Sequence, residues 1–68
     1  MNFSITGDHI DLNKLLKAAG IVESGGIAGE LIKSGEVTVD GEVETRKRKK
    51  IFPGSQVALL GETIDVTQ

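Results

Sequence analysis

Residues 24–44, SGGIAGELIKSGEVTVDGEVE, change periodicity halfway along, and that change decides the fold class. In the first half, Ile27, Ala28, Leu31 and Ile32 recur at three- and four-residue spacing, which lines one side of a helix. Ser24 stands before them as an N-cap, and Gly35 stands where a left-handed residue ends a helix. In the second half, Glu36 to Glu44 alternates polar and apolar residues around Asp40-Gly41, the pattern of a two-stranded hairpin. A two-residue loop would pair Val39 with Glu42 and leave Val43 on the face opposite Val37. A three-residue loop with Gly41 left-handed would put Val37 and Val43 on one face. Because a one-residue slip turns the apolar set to solvent, the three-residue loop is expected.

Working toward the amino terminus, Asp11 is placed to cap another helix, and Leu12, Leu15, Leu16 and Ala19 follow along one face until Gly20 stops it. Lys14 and Lys17 fall on the opposite, solvated side, three residues apart and therefore neighbours. Phe3 to Thr6 alternates like a short edge strand. Toward the carboxyl terminus, Phe52-Pro53-Gly54 reads as a turn and Ser55 to Leu60 as a strand. Gly61-Glu62 reads as a tight turn and Thr63 to Val66 as a last strand. The elements sum to an α+β domain, with two short helices packed on a small, mostly antiparallel sheet that includes a hairpin.

Sixty-eight residues suit one domain, spanning 1–68, with a thin core, because a chain this short buries only about 60% of its unfolded surface. It has no cysteine, so neither disulfides nor thiolate metal sites supplement that core. No apolar run approaches the roughly 20 residues that span a bilayer, and Met1 to Asp8 lacks the basic start and apolar run of a signal peptide. A cytoplasmic protein with no membrane association is expected.

The formal net charge is −2, yet Arg46, Lys47, Arg48, Lys49 and Lys50 are consecutive and carry +5, which leaves −7 on the other 63 residues. An acidic body with one basic patch orients a polyanion rather than coating itself with one. It gives no reason to expect more than a monomer. Arginine can hold a phosphate through two parallel N–H bonds and lysine acts as a mobile point charge, so the mixed run suits contact with a nucleic-acid backbone. The same run is also compatible with a solvated loop, a nuclear-import address or an acidic-membrane address. Gly25 and Gly26, at the first turn of the second helix, likewise allow two readings. They let a phosphate approach the helix N-terminus, or they form a flexible turn.

There is no Trp or Tyr, and both phenylalanines, Phe3 and Phe52, lie in apolar strand-like contexts that suit the core. Base stacking on exposed aromatics is then largely closed, which leaves recognition of backbone and shape in folded RNA. Catalysis has little to stand on: His9 is the only histidine, Ser24 has no base beside it, and the carboxylates are dispersed. No catalytic residue, metal site or cofactor is expected.

The order of these features resembles the S-four (S4) RNA-binding domain, named after a small-subunit ribosomal protein and found also in pseudouridine synthases and a tRNA synthetase. Leu12-Asn-Lys-Leu-Leu-Lys17, Ser24 to Ile32, Gly35 to Gly41, the basic run and Pro53-Gly54 carry the likeness, over about residues 11–60. The Ser-Gly-Gly start of the second helix and Glu44 to Lys50 are most similar to its small stand-alone bacterial subgroup, often called YbcJ- or YaaA-like. The resemblance implies an alpha-L motif, a paired-helix and hairpin surface on the backbone of structured RNA, often ribosomal. By position it implies Lys14, Lys17, Ser24, Gly25, Gly26, Lys33, Arg46, Lys47, Arg48, Lys49 and Lys50 as RNA-facing residues. Gly29 departs from relatives that carry Lys or Arg there, Ser55 stands where Asp often follows Pro-Gly, and Arg48 and Lys49 lie in a stretch that varies. The alternative function is an adaptor that uses Arg46 to Lys50 as an electrostatic tag for a protein or an anionic surface.

Overall fold

Two helices form where the apolar spacing demands them. The computed structural model describes residues 1–68 and places α1 at Leu12–Ala18 and α2 at Gly25–Lys33. Leu12, Leu15 and Leu16 are buried on α1, and Ala28 and Ile32 on α2. Both helices run out into a left-handed glycine, Gly20 at φ +78° and Gly35 at φ +86°. The buried stripe on α2 is narrower than its sequence suggests: Ala28 and Ile32 are buried, while Ile27, in the first turn, is exposed. Asp11 occupies the N-cap position of α1 with extended backbone, but its side chain makes no capping bond.

Seven strands follow the remaining pattern: β1 Asn2–Ser4, β2 Ile10–Asp11, β3 Val37–Val39, β4 Glu42–Val43, β5 Lys50–Ile51, β6 Gln56–Leu59 and β7 Glu62–Thr67. Five of them form a sheet in the order β1-β7-β6-β3-β4, while β2 and β5 pair as a separate antiparallel ribbon. Only the β1–β7 pair is parallel. Val37 faces Leu59, Val39 faces Val57, and Val57 faces Ile64, so one sheet face is apolar and joins the two helices in a single cluster of 13 buried residues. Every buried residue is apolar.

Two turns differ from expectation for the same reason. The β3–β4 loop has two residues, with Asp40 at φ +51° and Gly41 at φ +87°, and Val39 pairs with Glu42. Positive φ at both positions matches the twist of the flanking strands, and Asp tolerates the left-handed region. Val43 consequently opposes Thr38 and remains 61% exposed on the outer sheet face. The core loses little by this, because Val37 is already fully buried in the cluster beside Leu59. The β6–β7 turn is Leu60-Gly61 rather than Gly61-Glu62, with φ of +50° and +81°, so that Leu59 can pair with Glu62.

Candidate nucleic-acid interface

The basic run is more ordered than a solvated loop. Lys49 N–H donates to the Arg46 carbonyl at 3.1 Å, closing a turn, and Lys50 then enters β5 opposite Asp11. The same turn caps α1. Leu12 N–H donates to the Lys49 carbonyl at 2.9 Å, and Asn13 N–H to the Lys47 carbonyl at 3.0 Å. Two of the N–H groups that a helix start leaves unpaired are thereby satisfied by backbone, which explains why the Asp11 side chain is not needed. Arg46, Lys47, Arg48 and Lys50 remain exposed, and Lys49 is half-buried. Fixing the turn against a helix lowers the ordering cost that a ligand would otherwise meet.

Arg46 is partly spent within the chain. Its Nε and Nη2 donate to the two Glu44 carboxylate oxygens at 2.9 and 3.0 Å, and its backbone N–H donates to Oε2 at 2.9 Å. These bonds hold the Glu44 carboxyl at about 2, well below the usual carboxylate range. The free positive charge of the run therefore rests on Lys47, Arg48, Lys49 and Lys50.

The N-terminus of α2 faces this turn across a polar groove lined by Gly25, Gly26, Gly29, Glu30, Lys33, Thr45 and Lys47. Ser24 Oγ accepts from Ile27 N–H at 3.1 Å, and Ala28 N–H donates to the Ser24 carbonyl. That leaves the N–H groups of Gly25 and Gly26 at the positive end of the helix dipole. A Cβ at Gly25 would meet nothing within 4 Å, and one at Gly26 only Ser24 Oγ at 3.8 Å, so neither glycine is demanded by packing. At Gly29 a Cβ would lie 3.6 Å from Lys47 Cδ. The aliphatic stem of Lys47 thus lies against α2 beside Gly29. Lysine stems cover surface in this way while the ammonium stays in water.

Of the residues implied by the family resemblance, the structure gathers Gly25, Gly26, Lys33 and Lys47 around one groove, with Ser24 capping the helix beneath it. Arg46, Arg48, Lys49 and Lys50 line a second, adjoining depression together with Phe52. Lys14 does not join either: it lines a separate cavity with Phe3, His9 and Asp11. Lys17 lies exposed in the last turn of α1, where its charge suits the negative end of the helix. Thr45 and Glu30 were not singled out by sequence. Phe52 reverses the expectation of a core residue, being 49% exposed, with its ring 5.8 Å from that of His9 at 49°. Strand alternation explains this, since Ile51 points into the core and its neighbour must point out.

The family model described as S4 domain matches residues 3–67. YbcJ of Escherichia coli (strain K12) is 48% identical over 58 residues, covering 85% of this chain and 83% of that protein. The "Probable ribosome maturation protein RlbA" of Bacillus subtilis (strain 168) is 34% identical over 58 residues, covering 85% and 82%. The solution structure of E. coli YbcJ, described as revealing an alfaL motif involved in RNA-binding, superposes with a TM-score of 0.77. It is 44% identical and covers 98% of this chain and 86% of that one.

Proposed function

Since the chain belongs to the S4 domain family, we propose that it is a non-enzymatic RNA-binding module that holds the phosphate backbone of a structured RNA, ribosomal RNA foremost. The observation that carries the reading is the polar groove in which the glycine-rich start of α2 faces the side chain of Lys47. One phosphate sits against the Gly25 and Gly26 N–H groups, where the absence of side chains permits close approach. Lys47 reaches it from the turn, while Lys33, about two turns along α2, extends the positive lining of the groove. Arg48, Lys49 and Lys50 hold a neighbouring stretch of backbone, and Arg46 adds shape more than charge. Lys14 and Lys17 lie outside the groove and attract the polyanion from the flank, an effect that reaches roughly 10 Å at moderate salt.

Contacts of this kind position a nucleic acid without reading its sequence, so selectivity comes from the shape of the folded RNA. The motif that performs this spans about residues 11–60, and the module works as a cytoplasmic monomer without a cofactor. An alfaL motif involved in RNA-binding in YbcJ, and the ribosome-maturation name of RlbA, support the choice of RNA and of ribosomal RNA in turn.

The test compares a structured ribosomal RNA fragment, a single strand and a duplex DNA, using the natural chain and a variant with Arg46 to Lys50 all changed to glutamine. Tighter binding of the folded RNA, lost in the variant, is expected. Equal weak binding to all three would overturn the reading. Tighter binding to anionic vesicles or an acidic protein at matched salt would favour the electrostatic adaptor.

A further inference from the structure

The backbone clamp leaves one feature unused. Phe52 is an aromatic ring half exposed to water in the middle of a cationic surface. Its setting is built rather than incidental. Ile51 pairs with Ile10 across the β2–β5 ribbon, and Phe52, just after β5, has the ring of His9, just before β2, beside it. The His9 and Phe52 rings lie 5.8 Å apart with a tilt of 49°, within the range of favourable aromatic pairs. Pro53 follows directly and restricts the Phe52 backbone, and Ser55 N–H donates to the Phe52 carbonyl at 3.1 Å, closing the turn. The ring is therefore held from behind and from one side, while its open part faces the depression shared with Arg46, Arg48, Lys49 and Lys50.

Folding gains nothing from leaving this apolar surface wet, since the core next to it is closed by Ile51. An apolar protein partner would have to bury the surrounding cations, with Asp11 opposite Lys50 and Glu44 on Arg46 as the acidic groups nearby. A nucleotide meets both demands together, because its phosphate suits the cations and its base offers a π-face to the ring. We propose that Phe52, backed by His9, is a stacking platform for a single unpaired base of the RNA held by the neighbouring basic run. This rests on the RNA-binding reading above and adds to it a preference for a bulge or loop nucleotide beside a helical segment.

The experiment uses two RNA hairpins, identical except for one bulged 2-aminopurine, with the natural chain and the variants Phe52→Leu and Phe52→Trp. The natural chain is expected to bind the bulged hairpin about five- to tenfold more tightly than the unbulged one, near the lower end of base–aromatic stacking, and to change the emission of the probe. Phe52→Leu should abolish that preference while leaving affinity for the unbulged hairpin and the melting temperature nearly unchanged. Phe52→Trp should keep the preference. Equal affinity of the natural chain for both hairpins, or a preference that survives in Phe52→Leu, overturns the platform and leaves the clamp standing. A Phe52→Leu variant that melts early and weakens both hairpins equally shows the ring to be structural, which overturns it too. Failure of the natural chain to bind either hairpin counts against the clamp itself.

Discussion

Arg46 closes on Glu44, two residues away, through three hydrogen bonds: its backbone N–H and Nε each reach Oε2 at 2.9 Å, and Nη2 reaches Oε1 at 3.0 Å. The carboxyl is thereby held at about 2 against an ordinary value of 4.5. The folded state binds this proton more weakly than the unfolded chain, so the contribution to stability is complete above about 4.5. It is lost as the pH falls toward about 2. Chemical denaturation between pH 6 and pH 2 is expected to show a loss of stability across that window in the natural chain and a flatter profile in Glu44→Gln. Identical profiles would mean that the pair contributes nothing to folding.

The same pair ranks the basic residues. Because the Arg46 fork is already engaged, Arg46→Gln should weaken RNA binding by less than about twofold, the scale of an exposed ion pair. Lys47→Gln removes a free ammonium from the groove and should cost about ten- to a hundredfold, the scale of a charge-assisted hydrogen bond. Equilibrium binding to one folded RNA at fixed salt measures both. The opposite ranking would place the phosphate at Arg46 and require Glu44 to let go on binding.

Gly26→Val should separate binding from folding. Its Cβ meets only Ser24 Oγ, at 3.8 Å, and valine has a better helix propensity than glycine, so the melting temperature should hold or rise slightly. Affinity for the folded RNA should fall by roughly tenfold, because the branched side chain stands where the phosphate approaches the N–H groups. A collapsed melting temperature with a proportionate loss of affinity would make the glycine structural.

Much of this architecture was legible because periodicity and punctuation agree. Leu12, Leu15 and Leu16 announce α1, Ser24 and Gly35 bracket α2, and all five prove to hold the expected places. What was not legible depended on partners distant in sequence. Asp11 looked like a cap, but carbonyls of Lys47 and Lys49 do that work from over 30 positions away. The hairpin loop was not legible because Val37 is fully buried beside Leu59 in the core shared with the helices, so burying it needs nothing from Val43. The α2 glycines and the basic run could each be picked out from sequence, whereas their meeting across one groove could not. Phe52 could have been recognised as exposed, since it directly follows Ile51, which ends β5 pointing inward.

Leu60 offers a test of the turn chemistry. It holds φ +50° with its side chain 67% exposed, so it bears left-handed strain without a packing return. Leu60→Asn creates Asn-Gly, the pair preferred in such two-residue turns, and should stabilise the fold by about 0.5–1 kcal/mol. In a domain of this size that raises the melting temperature by about 2–8 °C. A lower melting temperature would mean that the leucine packs where the structure leaves it open.

If the cations of the basic turn and the start of α2 hold phosphates, affinity must depend on salt through those residues. The most direct measurement is the dependence of affinity on salt for one folded ribosomal RNA fragment, in the natural chain and in the variant with Arg46 to Lys50 all glutamine. With about four phosphates neutralised, at roughly −0.7 to −0.9 each, log affinity should fall against log salt with a slope near −3. In the variant the slope should shrink to about −1 or less. A flat response in the natural chain, or an unchanged slope in the variant, would contradict the account.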